Sequence, residues 1–415
     1  MTSHATNDAL DAESDLVPYY PMPRSGACPF APHATLRKMA ASGAPAKVRI
    51  WDDSTPWIVT GHADQRALLL DARMSNNEKA AGYPHMTRGR SETAKHTPPM
   101  ITNTDAPEHT RLRRLVNGPF LAKRIEALRP KIQQVVDERI DDLLAGPKPV
   151  DLVKTFGLPV PTLVICDLLG VPYDDHEFFQ DCSNRCISHS SSEQEAAEAS
   201  AALAGKFGEL IELKMKEPAN DVLSQMGAFV TSGQMTHLEA ILQCTAMLIA
   251  GHETTASMIS LGTLALLQNP DQLAQLRERW DEPAFVANAV EELLRYLTIV
   301  HSGIRRIATE PVEVGGVRIE AGDGVIFDLA SANYDPAAFP DPDTLDLTRP
   351  ARTHHAFGVG PHQCLGQSLA RVELQVVYST LYRRIPGLAL AEPDATADVN
   401  FDGVAYGLHS LPVTW

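Results

Sequence analysis

The chain has 415 residues, 44% of them hydrophobic and 21% charged, a balance that excludes wholesale disorder, a collagen-like fibre and a small disulfide scaffold. Acidic residues outnumber basic ones 52 to 36, for a net charge of −16, which argues against a nucleic-acid partner because phosphate binding needs a basic footprint. The 36 basic residues divide into 25 Arg and 11 Lys, all the Lys lying before residue 217, so basic patches can still form locally. The six cysteines contain no CxxC pair; this excludes zinc-ribbon and thioredoxin-type readings and points to reduced thiols in a cytoplasmic protein.

Residues 1–17 read as a flexible, polar and acidic tail without the apolar run of a signal peptide, and 18–415 as a single domain, since no repeat or low-complexity linker divides it. Residues 47–60 read as a hairpin around an Asp-Asp-Ser turn. Residues 75–104 are polar and without clear periodicity, which predicts a long functional loop. A helix carrying EHTRLRRLV follows Pro107, and apolar spacing predicts another over 129–145. A third is expected over 193–216.

The longest helix starts at a T-x-x-E capping box, Thr236 and Glu239, and stops at Asn269-Pro270. It would hold roughly 33 residues and span about 50 Å at 1.5 Å per residue. It is apolar nearly all round, as a helix through the middle of a large core would be. His252 and Glu253 interrupt it, so no charge-free run reaches the ~18–20 residues of a bilayer span. A shorter helix is predicted from Pro283 to about Tyr296, strands over 312–314, 317–319 and 325–328, and a final helix from near Cys364 to about Arg384. The resulting fold class is mainly α with small β-sheets.

Two motifs lead nowhere. His252-Glu253 begins a zinc-protease HExxH whose second His is missing. Gly358-x-Gly360 lacks the third glycine and the βαβ setting of a dinucleotide fingerprint. Four other features carry chemistry. His109 and Arg113, spaced i,i+4, share a helix face. Residues 250–255, AGHETT, place Gly251, Glu253 and Thr254 inside the apolar helix, where polar groups are costly unless used; the glycine suggests that something small approaches the backbone there. Glu292 and Arg295 can pair at i,i+3. FGVGPHQCLG, 357–366, puts Cys364 in a Gly-rich loop that opens a helix, where N–H groups and the helix dipole favour a thiolate and N–H donors tune a metal bound to sulfur.

In this order the four features resemble the cytochrome P-450 family of haem-thiolate monooxygenases, with the soluble bacterial, actinomycete-like class nearest. FGVGPHQCLG matches the F-x-x-G-x-[HR]-x-C-x-G loop, AGHETT the [AG]-G-x-[DE]-T-[TS] segment and ELLR the E-x-x-R. The resemblance implies haem b, with Cys364 as axial ligand to iron and Phe357 packed near the sulfur. His109, Arg113, Arg306 and His362 would bind its propionates, and Ala250 and Gly251 would line its distal side. Glu292 and Arg295 would be structural, with Arg349 or His354 as third partner; the family's Arg-Phe-Asp reads Thr344-Leu345-Asp346 here, and His355 replaces a common Leu.

Glu253 and Thr254 would deliver protons during dioxygen activation, while the thiolate favours O–O cleavage. The resemblance further implies a monomer that inserts one oxygen atom of O2 into a C–H or C=C bond of a hydrophobic substrate. Electrons would come from NAD(P)H through a ferredoxin reductase and a ferredoxin docked on Arg111, Arg114, Lys123, Arg352 and Arg371. The pocket would be lined by 75–104, 178–215, Ala246, Ala250, Ile299, Val300 and Val404. The alternatives are a peroxide-driven or nitric-oxide-reducing enzyme on the same fold, which an intact Glu253–Thr254 pair disfavours, and a non-enzymatic haem sensor or carrier.

Overall fold

The computed structural model describes residues 17–24, 28–187, 192–401 and 405–415, so all but Val17 of the expected tail lies outside the described residues. The axis of the structure is the central helix, His237–Gln268, which begins at the predicted capping box: the Thr236 hydroxyl accepts from the Glu239 N–H and the Glu239 carboxylate accepts from the Thr236 N–H. Helices Pro159–Leu169, Glu193–Lys216 and Gln367–Arg384 pack along it. Its residues from Thr255 to Leu266 are buried without a break, and the Tyr378 hydroxyl of Gln367–Arg384 pins it by donating to the Met258 carbonyl at 2.5 Å.

The strands stand to one side. One five-stranded sheet takes Ala46–Lys47, Trp57–Val59, Gly324–Phe327, Ile304–Ala308 and Met74–Ser75 in that order. The first pair is the predicted hairpin, with Ala46 opposite Ile58; Trp57–Val59 then runs parallel to Gly324–Phe327, and the remaining pairs are antiparallel. Val312–Val314 and Val317–Ile319 form a hairpin as expected.

Three local expectations change. The segment 75–104 is not all loop: it holds a helix, Arg88–His96, started by the Thr87 hydroxyl accepting from the Arg90 N–H and tied down by Arg90 pairing with the buried Glu78 at 2.8 Å. Ile304–Ala308, the fourth strand of the five, has no sequence signal, because Ile-Arg-Arg-Ile-Ala breaks the alternation that marks a strand. The last helix starts at Gln367, three residues beyond Cys364, so the cysteine precedes the helix.

The helix Pro283–Leu297 carries the acid groups on which the following loop hangs. Glu292 and Arg295 are both fully buried and joined twice, at 2.7 and 2.8 Å. Arg295 also donates to the carbonyls of Asn333 and Pro342, each at 2.9 Å. Of the two candidates, Arg349 is the third partner, its Nε donating to Glu292 Oε1 at 3.1 Å. Thr344 and Asp346 join through backbone atoms only: the Thr344 carbonyl accepts from Arg295 and Arg349, and the Asp346 N–H donates to Glu292. The departure from Arg-Phe-Asp therefore costs the cluster nothing that these backbone bonds supply.

His354 belongs to a second cluster, one residue along the helix. Glu291 accepts from His354 Nε2 at 3.0 Å and from Arg371 Nε at 2.6 Å. Burial pushes the Glu291 carboxyl up, but these two bonds outweigh it and hold it at about 2. The Ala356 N–H donates to His354 Nδ1 at 3.1 Å, which leaves the ring proton on Nε2, and burial lowers the His354 pKa. Arg24 closes the far end of this helix, donating to the carbonyls of Leu297 and Thr298, each at 2.6 Å, where the helix dipole favours a cation.

Breaking a buried ion pair by removing one partner costs ~3–5 kcal/mol, a large part of the ~5–15 kcal/mol by which domains are stable. Glu292→Ala and Arg295→Ala are therefore expected to yield little folded protein, with Arg349→Ala, at the rim of the cluster, less damaging. Thermal denaturation of the purified variants checks this: a wild-type midpoint in either of the first two would show that the cluster bears no load.

Candidate active site

Two glycines with left-handed backbone shape the loop before Cys364. Gly358 has φ 69° and Gly360 φ 82°, and a Cβ on Gly360 would come within 2.7 Å of the Leu69 carbonyl oxygen. The Gly358 N–H donates to His355 O at 2.7 Å, the Gln363 N–H to Gly360 O at 3.0 Å, and the Cys364 N–H to Phe357 O at 2.9 Å. Phe357 itself lies under the Arg371 guanidinium, 4.6 Å from its ring centre. His355 is fully buried; its ring stacks on His62 at 3.9 Å and its backbone N–H donates to Asn333 Oδ1 at 2.7 Å. An imidazole thus takes the place of an aliphatic side chain by stacking behind the loop.

Cys364 lies deep in the fold yet has open surface beside it. Burial raises its thiol pKa, while the N–H groups of Gly366 and Gln367 and the charges of Arg113 and Arg371 act to lower it. Burial, not the helix N-terminus, therefore sets the net direction in the metal-free chain. Bound metal would reverse it, because a coordinating thiol is deprotonated outright.

The residues expected at a carboxylate edge come together. His109 and His362 lie ring to ring, 4.0 Å between centres. His362 Nδ1 is 3.2 Å from the Ile101 carbonyl, and His109 Nε2 is buried with no partner among the described residues. Burial first, then neighbouring guanidiniums, lowers both rings, His362 to about 3, so the two imidazoles are neutral. The Arg113 side chain makes no hydrogen bond among the described residues; its guanidinium is felt at Cys364 and at His109. Arg306 is buried, and its bonds within the chain all leave from Nη1. Positive charge thus gathers beside Cys364 without an ion-pair partner, which fits a ligand bearing carboxylates.

On the central helix, Ala250 is exposed although it lies in mid-core, and Glu253 and Thr254 are half-buried. The Thr254 hydroxyl donates to the Ala250 carbonyl at 2.7 Å, which uses its one proton and leaves its lone pairs free. The Glu253 carboxyl has no hydrogen bond among the described residues, and burial pushes it up to about 7. Gly251 also packs closely: a Cβ there would lie 3.1 Å from the Ile165 side chain of the neighbouring helix. His252 is buried with both ring nitrogens unpartnered among the described residues, and burial lowers it to about 4.

The pocket candidates divide. Ala246 and Val300 are half-buried, Ile299 is buried, and Val404 lies outside the described residues. Two expected docking cations are already engaged: Arg111 pairs with Glu108 and Glu239, and Arg371 with Glu291. Arg114, Lys123 and Arg352 are exposed. The residues that sequence reasoning missed are Glu291, which resembles its neighbour Glu292 too closely to stand out, and Asn76, whose context carries no motif.

The cytochrome P450 family model matches residues 45–385. Cytochrome P450 GfsF of Streptomyces halstedii is 50% identical over the full length of both chains, and its crystal structure superposes with a TM-score of 0.91, covering 96% of this chain and all of that one. Cytochrome P450 CYP105Q4 of Mycobacterium marinum is 50% identical over 96% of each chain. The structure of MycCI, the mycinamicin VIII C21 methyl hydroxylase of Micromonospora griseorubida bound to mycinamicin VIII, is 38% identical with a TM-score of 0.87, covering 96% of this chain and all of that one. No described helix is long and apolar enough to cross a membrane. With the Cys loop, the E-x-x-R pair and the Glu-Thr helix in place, the chain belongs to the cytochrome P450 family, as a bacterial haem-thiolate monooxygenase.

Proposed function

We propose that residues 18–415 form one domain that holds haem b, with Cys364 as the axial ligand, and hydroxylates a medium-to-large hydrophobic molecule of the macrolide, terpenoid or steroid-like kind. The observation that carries this is the gathering of His109, Arg113, Arg306 and His362 near Cys364 with no carboxylate bonded to either guanidinium among the described residues. The two propionates of haem b would take that position, bound by charge-assisted bonds from the guanidiniums and by the free Nε2 of His109. The open surface at Cys364 and the exposed Ala250 are the two faces between which the ring would lie. A substrate of this size accords with the mycinamicin VIII bound to MycCI.

Thiolate-ligated haem, once bound, supplies dioxygen activation and oxygen transfer to carbon. The protein's part is to hold protons and exclude water. Glu253, its carboxyl near 7, is poised as the general acid, since proton transfer is most effective when the pKa lies near the working pH. Thr254, its proton held by Ala250 O, acts as an acceptor and fixes the hydrogen-bond geometry through which Glu253 delivers. Electrons reach the site from NAD(P)H through a ferredoxin reductase and an acidic ferredoxin, which Arg114, Lys123 and Arg352 steer by charge, an attraction that weakens with salt. Screening compounds for the shift of the haem absorption band on substrate binding tests the substrate class; a response confined to small polar compounds would refute it.

Two further outcomes follow. Thr254→Ala is expected to load haem, bind substrate and accept electrons, but to release more hydrogen peroxide and up to ~10²-fold less product in the chemical step. NAD(P)H, peroxide and product measured together decide this, and an unchanged product-to-NAD(P)H ratio would reject the proton-handling role. Glu253 is protonated below its pKa and ionised above it, so acid-dependent turnover is expected to fall as pH rises through about 7. Glu253→Gln should be slower and lack that descending limb; a variant that keeps the limb would assign it to another group.

A further inference from the structure

Arg306 is buried, and a buried guanidinium ordinarily needs a carboxylate beside it. Here none among the described residues is bonded to it; Asp105 acts on it only through space. The sheet register sets Ser75 opposite Ile307, which brings the next residue, Asn76, beside Arg306. Asn76 is buried too. Its Oδ1 accepts from Arg306 Nη1 at 2.5 Å, and the Arg305 carbonyl accepts from the same nitrogen at 2.7 Å. The Asn76 Nδ2 donates to the Thr102 carbonyl and its backbone N–H to Asp105 Oδ1 at 2.8 Å. Because a guanidinium only donates and a carbonyl only accepts, these contacts fix which way the amide points.

Both acceptors of Arg306 are therefore neutral. The nearby carboxylate, Asp105, is taken by the Asn76 N–H and by the Ser75 hydroxyl at 2.5 Å. An aspartate in place of Asn76 would orient the guanidinium equally well and neutralise it; an amide orients it and leaves its charge for something else. The segment that anchors Asn76 also supplies the Ile101 carbonyl to His362 at 3.2 Å and the Asp105 carbonyl to the His109 N–H at 2.8 Å. One short stretch of chain thus sets three of the four groups at the carboxylate edge.

We propose that Asn76 is a positioning residue for the haem: it aims Arg306 at a propionate while leaving the guanidinium charge unspent. This rests on the reading of Arg306 as a propionate contact. The test is a double-mutant cycle on the haem-loaded protein, with Asn76→Ala, Arg306→Ala and both together. The readouts are the rate of haem transfer to excess apomyoglobin and the reduction potential of the iron. Asn76→Ala is expected to speed transfer roughly tenfold, the range seen when a partner that orients a ligand is lost. It is also expected to move the potential negative, towards that of Arg306→Ala. The double variant should match Arg306→Ala alone in both. If Arg306→Ala changes neither readout, the propionate reading itself fails. If Arg306→Ala changes them but Asn76→Ala does not, or the two effects multiply in the double variant, the positioning role is overturned. Circular dichroism checks that each variant folds, and if Asn76→Ala does not, Asn76→Ser, too short to reach Arg306, runs the same cycle.

Discussion

Adjacent carboxylates on one helix, Glu291 and Glu292, hold the chain that leads to Cys364. Glu292 takes Arg295 from its own helix and Arg349 from the loop; Glu291 takes His354 further along and Arg371 from the helix beyond the cysteine. Consecutive residues on a helix point about 100° apart, so one turn of Pro283–Leu297 grips the loop at two places on either side of its bend. The loop has little regular structure of its own, and these bonds, with the turn bonds around Gly358 and Gly360, fix where the sulfur sits, as a site that must hold precise geometry requires. Taking so many charges out of water is expensive. The expense is tolerable because each acid has several donors and Arg295 is shared among carbonyls that also need partners.

The same logic governs the opposite choice at the carboxylate edge. At Glu291 and Glu292, charge is cancelled within the protein, because the job is to hold a shape. At Arg113 and Arg306 no carboxylate is bonded to the guanidinium among the described residues, which suits the carboxylate-bearing ligand proposed above. His109 and His362, neutral and tilted ring to ring, add no repulsion; His109 keeps its Nε2 free, while the one N–H of His362 is used on the Ile101 carbonyl. The central helix applies a third solution: Glu253 is kept near neutrality by burial alone, so that a proton is available where no cation holds the carboxylate ionised.

Local signals in the sequence were strong where one short stretch contains its whole cause. The capping box at Thr236 and Glu239 and the Asn-Pro stop located the central helix, and the 357–366 motif located the cysteine loop. What was hidden depends on contacts distant in sequence. The choice between Arg349 and His354 turns on which of two neighbouring carboxylates each reaches. The strand Ile304–Ala308 is made by its neighbours in the sheet, since its own alternation is poor. The close packing of Gly251 against Ile165 cannot be read from the AGHETT stretch alone, because Ile165 lies on another helix. Arg111 pairs with Glu108 of its own helix but also with Glu239 of the central helix, and Arg371 with Glu291, and these distant partners are not visible in the local sequence. The helix Arg88–His96 depends on its Thr87 cap and on Glu78, which a polar stretch without period does not announce.

The central claim is that this whole arrangement exists to present the Cys364 sulfur to iron. The most direct measurement is the carbon monoxide difference spectrum of the reduced, haem-loaded protein beside that of Cys364→Ala, with circular dichroism confirming that both are folded. The account predicts the red-shifted band that marks a thiolate ligand in the natural protein and its absence in the variant. The same band in a folded Cys364→Ala protein would contradict the axial assignment and with it the reading of the site.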